Sequence, residues 1–549
     1  MAPQSAWKTV AGLGLALAVL AALLAAGSAP LADFIGAQVQ KAVRQAVVWQ
    51  PDSPKATADR YLGDNLPPLH MSFSFFNITN VAAVRQGAKP VLQEVGPYTF
   101  GKMRKLQSVQ FINGDTSVRY HPYEYHLFEP HRSNGSMDDL ITTLNVPLIG
   151  ALETIESVGG RARPLLALLA GWVESWGDRH VQGLFHTRTV GELLWGYEDA
   201  LLAQLAKWAP RLGVKVKIDP WIKLVYNMTS PEQADAALPI QSATGAENIA
   251  RVWQTEEWGN VSEVRCWGDG HVEPVRGPDA MQFRPNLKVG DRVAVWMSQY
   301  FRATHMVAAE EVELSGVKLL RLRNDPADAS PDPRFFQTMQ GLFNLTAPMA
   351  CQLGPGLDSP PGPPGPPVFL APPHFCGADP SLALGVEGLR CRPEYTDNYM
   401  DIEPNTGVTV RAAQRLMMVS WFGGRWRVID GKAADTFLPI FWIDVASQAR
   451  PSDLKQFTPL KYVLAAQAAL RQWALPASGA AALLATALLV AAAVLYTPAA
   501  AQAEAGGYER LEGGGEQQAA EPAAQLQPPT GPVSFPVAAD GAAALESPA

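Results

Sequence analysis

Two uncharged apolar runs, one near each end, constrain this 549-residue chain more than anything between them. The second, Leu475–Tyr496, reads LPASGAAALLATALLVAAAVLY, and no charged residue falls between Arg471 and Glu504. As an apolar helix rising 1.5 Å per residue, a run of about 22 residues spans roughly 33 Å, enough to cross a hydrocarbon core of about 30 Å. The first, Thr9–Ala32, follows Lys8 and passes through Ala26-Gly27-Ser28-Ala29. Those small residues make it readable both as a membrane helix and as a cleavable leader. The expectation is a large domain tethered to a membrane at both ends.

The chain is 47% hydrophobic and 17% charged, enough apolar material for a substantial core. Its net charge of −8, with no long basic run, argues against nucleic acid as a partner. All four cysteines (Cys266, Cys351, Cys376, Cys391) lie between the two runs. So do the five Asn-x-Ser/Thr sequons, at Asn77, Asn134, Asn227, Asn260 and Asn344. Both features suit an oxidising, glycosylating compartment, so the central domain is expected outside the cytosol. Counting basic residues beside the runs leans the other way: Lys41, Arg44, Lys461 and Arg471 flank the domain side, and only Arg510 follows the second run. The sequons and cysteines outweigh that count.

Asp33–Trp49 has apolar residues at helical spacing and is ended by Pro51 and Pro54, which predicts an amphipathic helix. From Leu69 to Leu144 alternating and aromatic-rich runs separated by Gly-Pro, Asn-Gly and Glu-Pro predict short antiparallel strands. Pro147–Pro210 switches to helical periodicity. Strand-like runs then return as KVKI, NIARVWQ, DRVAVWM, VKLLRLR, GVTVRAAQRLMMVSWF, RWRVI and FLPIFWI, which suit a large barrel-like core. The proline-rich Pro355–Pro367 predicts a stiff connector, and the tail after Tyr496 has the composition of a disordered segment.

Six ordered blocks in this span resemble the CD36, class B scavenger receptor and lysosomal integral membrane protein family. Gly96-Pro97-Tyr98-Thr99-Phe100 resembles its Gly-Pro-Tyr-x-Tyr/Phe, and Phe128-Glu129-Pro130 its Phe-x-Pro. The run from Arg188 to Tyr197, RTVGELLWGY, is close to Arg-Thr-x-x-Glu-Leu-Leu-Trp-Gly-Tyr. Pro372-Pro373-His374-Phe375, the run YMDIEPNTG from Tyr399 to Gly407, and LPIFW from Leu438 to Trp442 resemble three further blocks.

The resemblance implies an α+β, mainly β fold: a large antiparallel β-barrel-like ectodomain with an inserted apical helical bundle, about residues 147–210, and a lipid-sized tunnel. It also favours an uncleaved N-terminal anchor. The implied order is a short cytoplasmic stretch 1–8, a transmembrane helix 9–32, a lumenal or extracellular domain 33–474, a transmembrane helix 475–496 and a disordered cytoplasmic tail 497–549.

The same resemblance makes the apical Trp172, Trp176, Arg179, His180 and His186 candidate ligand-binding residues. Trp172 and Trp176, four apart, read equally as packing within the helices. Glu153, Glu156, Glu174 and Asp178 offset the basic groups, which argues against polyanionic ligands. His180 and His186 are also candidates for a pH response. Cys266 and Cys351 fall where the resemblance places paired cysteines. Cys376 and Cys391 flank a short loop that a second bond would close, although four cysteines allow three pairings. His121, His126 and His131 recur every five residues, which on a strand puts neighbours on opposite faces and makes a poor metal site. Asp401 and Glu403 belong, by resemblance, to a structural turn. In the tail, Tyr508 and Leu511 form a Gly-Tyr-x-x-Leu sequence resembling an endolysosomal sorting signal.

No nucleophile elbow, zinc-protease helix or phosphate-binding loop occurs, so an enzyme is not expected, nor is a cofactor. The function the resemblance implies is a receptor that binds lipids or lipoprotein-like particles and passes fatty acid or sterol towards the plasma membrane or an endosomal or lysosomal membrane. The alternative is a sorting receptor holding a soluble lysosomal enzyme on its apical helices.

Overall fold

The computed structural model describes residues 28–62, 68–157, 184–208, 210–212, 219–225, 228, 233–234, 237–353, 356–360, 366–422 and 434–473. Its contacts divide the chain into two units. The smaller contains residues 28–47, 313–318 and 449–473 of the described set, and the larger runs from Val48 to Val312 and from Leu319 to Gln448.

In the smaller unit, helices Ser28–Val47 and Thr458–Trp473 pack together. Ala32, Val39, Val43 and Val47 are buried on the first helix, the stripe expected of an amphipathic helix. Gly36 allows the close approach, because a Cβ there would lie 2.6 Å from Gln467 Nε2. Gln467 donates to the Ala32 carbonyl at 3.1 Å, and Lys461 to the Gly316 carbonyl at 2.7 Å. Among the described residues no helix is long and apolar enough to cross a membrane. The 475–496 run and residues 1–27 lie outside them.

The larger unit is built on one thirteen-stranded, nearly closed antiparallel sheet. Its strands are β1 (Leu69–Ile78), β2 (Leu92–Ile112), β3 (Ser117–Phe128), β4 (Ile240–Ala243), β5 (Thr255–Trp258), β6 (Arg292–Met297), β7 (Arg302–Leu314), β8 (Val317–Asn324), β9 (Phe343–Asn344), β10 (Val368–Ala371), β11 (Tyr399–Ile402), β12 (Thr409–Phe422) and β13 (Thr436–Gln448). The order is β6-β7-β8-β11-β12-β13-β1-β2-β3-β4-β5, with β10 pairing β12 and β9 pairing β10 off that path. Pro439 is tolerated inside β13 because the register shifts there: Met418 faces Phe441 and Val419 faces Pro439, leaving Ile440 as the extra residue.

The ends of the path, β5 and β6, are joined by two residues from another segment. Thr255 N donates to the Gly277 carbonyl at 3.0 Å, and Trp296 N to the Pro278 carbonyl at 2.9 Å. Phe73, Phe75, Phe100 and Phe441 are buried against one another, with ring centroids 5.7–6.0 Å apart where they meet. Each such side chain contributes on the order of 1.5–3 kcal/mol.

Helices Val146–Ser157, Val190–Trp195 and Ala200–Trp208 follow β3 as the periodicity predicts. Thr189 caps the second of these in a capping box with Glu192, which is the physical content of the RTVGELLWGY block. Sequence periodicity fails at NIARVWQ: Ile249–Arg251 is a 3-10 turn because Asn248 accepts from Ala250 N at 2.9 Å. KVKI and RWRVI lie outside the described residues.

Candidate functional site

The pleat of β2 runs opposite to simple patterning. Met103 faces out and is 39% exposed, whereas Lys102 is 2% exposed and Arg104 is also turned inward. Arg104 stands directly across from Glu124 on β3. Lys102 Nζ lies 3.0 Å from Glu124 Oε2, and Arg104 Nε 3.6 Å from Glu124 Oε1. Arg104 Nη2 also donates to Asp279 Oδ2 at 2.8 Å. Asp279 Oδ1 in turn accepts from Trp253 Nε1 at 2.9 Å. Two cations therefore meet two anions in one interior cluster. Each of the four has an opposite charge beside it, as burial requires, since an unpaired buried ion costs several kcal/mol.

An aromatic stack closes one side of the cluster. Trp253 stacks on Tyr61, 4.4 Å away, and on Tyr120, 5.6 Å away and nearly parallel. Burial pushes both phenols well above their ordinary range, so they stay neutral hydrogen-bonding groups.

On the other side is a cavity of about 60 Å³, lined by Arg104 and Glu124 together with Thr255, Trp258, Trp296 and Gln414. The Trp258 and Trp296 rings lie 5.9 Å apart, tilted by 57°. The indole N–H of each, and the Thr255 hydroxyl, are buried without a hydrogen-bond partner. Met297 and Met400 complete this wall and belong to a second core cluster with Met306 and Leu320. A space of this size accepts a few waters or a small polar group, whereas sites for drug-sized ligands run to about 300–1,000 Å³. The neutral groups of Thr255, Trp258 and Trp296 stand beside the Arg104, Glu124 and Asp279 charges that line the same cavity.

A second, open groove of about 330 Å³ lies among Val84, Pro90, Leu382, Leu384, Thr436 and Phe437. One wall belongs to the loop that the Cys376–Cys391 disulfide closes, and the other disulfide joins Cys266 to Cys351.

Trp172, Trp176, Arg179 and His180 lie outside the described residues, as do Asn227, Tyr508 and Leu511. His186 is in strand Phe185–Thr189 and only 4% exposed. Burial and the Arg188 guanidinium push its imidazole down to about 3, so it is neutral across the physiological range. Asn134 and Asn260 are exposed, and Asn77 and Asn344 half-buried. Asn77 Oδ1 accepts from Thr142 N at 2.8 Å.

The three spaced histidines do not converge: His121 Nδ1 donates to the Ala237 carbonyl at 3.0 Å, while His126 is buried beside Trp195. Glu403 accepts from Asn405 and Thr406 within one turn, consistent with a structural role. Sequence reasoning missed the interior cluster. The available signal was a pair of cations at i and i+2, Lys102 and Arg104, inside a predicted strand.

The model of the CD36 family matches residues 15–490. Scavenger receptor class B member 1 of Bos taurus is 26% identical over 400 residues, 71% of this chain and 72% of the relative. Lysosome membrane protein 2 of Rattus norvegicus is 26% identical over 362 residues, covering 64% and 68%. Scavenger receptor class B member 1 of Sus scrofa is 25% identical over 459 residues, covering 82% and 83%.

Proposed function

The chain belongs to the CD36 family, and from that premise we propose that it is a receptor, not an enzyme, that takes lipid from particles and passes sterol or fatty acid through its barrel towards the bilayer. The observation that supports this reading is the nearly closed sheet with a cavity among Arg104, Thr255, Trp258, Trp296 and Met400. Burial of a lipid tail gains about 0.8 kcal/mol per CH₂, so a yielding apolar path needs few polar contacts. The apical Trp172, Trp176, Arg179, His180 and His186 segment would be the face presented to particles, with the buried His186 serving to shape it.

The test is uptake of labelled sterol and oleate from emulsion particles by cells making the full chain. Several-fold higher uptake than in cells without it supports the reading; equal uptake overturns it. Loss of a glycosidase-sensitive gel shift in Asn134→Gln and Asn260→Gln would place the domain outside the cytosol. Unglycosylated wild-type protein would reverse that orientation.

A second reading rests on the Tyr508-x-x-Leu511 sequence and on relatives named lysosome membrane protein 2. In it, the apical helices carry a soluble enzyme to an endosomal or lysosomal membrane. Trp172→Ala or His180→Ala that abolishes capture of a secreted hydrolase, with lipid uptake intact, would favour it.

A further inference from the structure

The two disulfides differ in what can reach them. Cys266 and Cys351 are both 0% exposed, so a reagent meets that bond only when the fold opens. Cys376 is also buried, at 2%, but Cys391 at the other end of the same bond is exposed. Thiol–disulfide exchange needs one accessible sulfur, and Cys391 supplies it.

The surround of Cys391 is cationic. Arg390 and Arg392 stand one residue to either side, and both are exposed. Glu394 Oε1 lies 3.9 Å from Arg392 Nη1, an exposed pair that cancels little of that charge. Two guanidinium groups draw a thiolate towards the sulfur and stabilise negative charge on Cys391 when its bond breaks.

The bond closes the loop that supplies Ser381, Leu382, Leu384 and Gly385 to the open groove of about 330 Å³. Hydrogen bonds pin the front of that loop independently. Glu387 N donates to the Pro90 carbonyl at 2.8 Å, Leu92 N to the Glu387 carbonyl at 2.9 Å, and Thr436 Oγ1 to the Gly385 carbonyl at 3.2 Å. On the limb after Glu387, Arg390 N donates to His374 Nδ1 at 3.1 Å, and His374 stacks flat on Tyr395, 4.9 Å away. Opening the bond therefore frees a short limb and leaves the sheet joined.

We propose that Cys376–Cys391 is a thiol–disulfide exchange site, opened through Cys391 by a dithiol reductant with negative charge around its thiols, while Cys266–Cys351 is a fixed structural bond. The incoming thiolate bonds to Cys391 Sγ, and Cys376 Sγ leaves with the electron pair and takes up a proton. The reductant's second thiol then attacks its own sulfur in the mixed disulfide, and Cys391 leaves as the second thiol. One dithiol is oxidised to its disulfide, and the two cysteines receive its two electrons and two protons. Neither step depends on lipid passage.

The experiment uses the full chain in lipid nanodiscs, treated with dithiothreitol, alkylated and mapped by peptide mass spectrometry. Cys376 and Cys391 should become alkylated about 100-fold sooner than Cys266 and Cys351. Rates per thiolate are then compared at low salt for 2-mercaptoethanesulfonate and cysteamine, one anionic and one cationic. The anionic thiol should be about ten-fold faster. Arg390→Gln with Arg392→Gln should bring that ratio to about two-fold or less, with melting unchanged. High salt should do the same in the wild type, which guards against a misfolded variant. Hydrogen exchange should speed up several-fold on selective reduction, confined to peptides from Gly388 to Thr396.

Both pairs reacting together would overturn the proposal. So would equal rates for the two thiols, a charge preference that survives removal of both arginines, or loss of protection throughout the sheet on reduction, the mark of a structural staple.

Discussion

A Cβ built on Gly277 would lie 2.7 Å from the carbonyl carbon and oxygen of Ala294, closer than real Cβ contacts come. Gly277 also has φ +89°, in the region that favours glycine. This contact sits at the seam where Gly277 and Pro278 bridge the first and last strands of the sheet path. Gly277→Ala is expected to cost about 2 kcal/mol or more from strain and overlap. A lower melting temperature, with new protease cleavage near β5 or β6, would show the seam opening; an unchanged melt would mean that closure does not depend on it.

Asp401 is fully buried on β11 and stands in register between Arg321 on β8 and Arg411 on β12. Arg321 donates twice, at 2.7 and 2.9 Å, and Arg411 Nε once at 2.7 Å. Asp401→Asn removes the charge and leaves two guanidinium groups opposed, a loss expected at about 3–5 kcal/mol. Denaturant unfolding measures it, and a change under 1 kcal/mol would contradict the arrangement.

The His186 imidazole is held down to about 3 in the folded state, against an ordinary value of 6.5. The unfolded chain therefore binds its proton first as pH falls, and folding stability drops from pH 6.5 towards 3. Between pH 7 and 5 this amounts to about 2 kcal/mol. Asp444, whose carboxyl burial pushes up, acts with the opposite sign, equally in the wild type and in a His186→Phe variant. His186→Phe should flatten the fall in stability between pH 7 and 5 by that amount; parallel curves would sink the assignment.

The two disulfides close loops of different length, 85 residues for Cys266–Cys351 and 15 for Cys376–Cys391. By loop entropy the first contributes about 4.5 kcal/mol and the second about 3 kcal/mol. Paired serine substitutions should lower melting in that order under non-reducing conditions. Cys376→Ser with Cys391→Ser should also loosen the wall of the groove beside Leu382 and Leu384, read as faster hydrogen exchange there.

Elements whose fate is decided locally were legible from residue pattern. The β12 and β13 runs form strands because apolar and β-branched residues dominate them, and the apolar spacing after Asp33 matches the helical repeat of the observed helix Ser28–Val47. NIARVWQ failed because Asn248 offers its backbone a closer partner than any strand. The interior ionic cluster left only the Lys102 and Arg104 spacing as a trace, because Glu124 and Asp279 look like ordinary surface charges until strand register and a distant segment bring them together.

The sequence by itself determined the membrane tethers as an expectation, the mainly β class and the family, because periodicity, composition and ordered blocks are properties of a chain. Tertiary structure alone decided which charges turn inward, how Gly277 and Pro278 close the sheet, and that Thr255, Trp258 and Trp296 are left around one cavity with donors unspent. For Lys102, Arg104, Glu124, Thr255, Trp258 and Trp296 the outcome depends on strand register, since a shift of one residue would send each side chain to the opposite face.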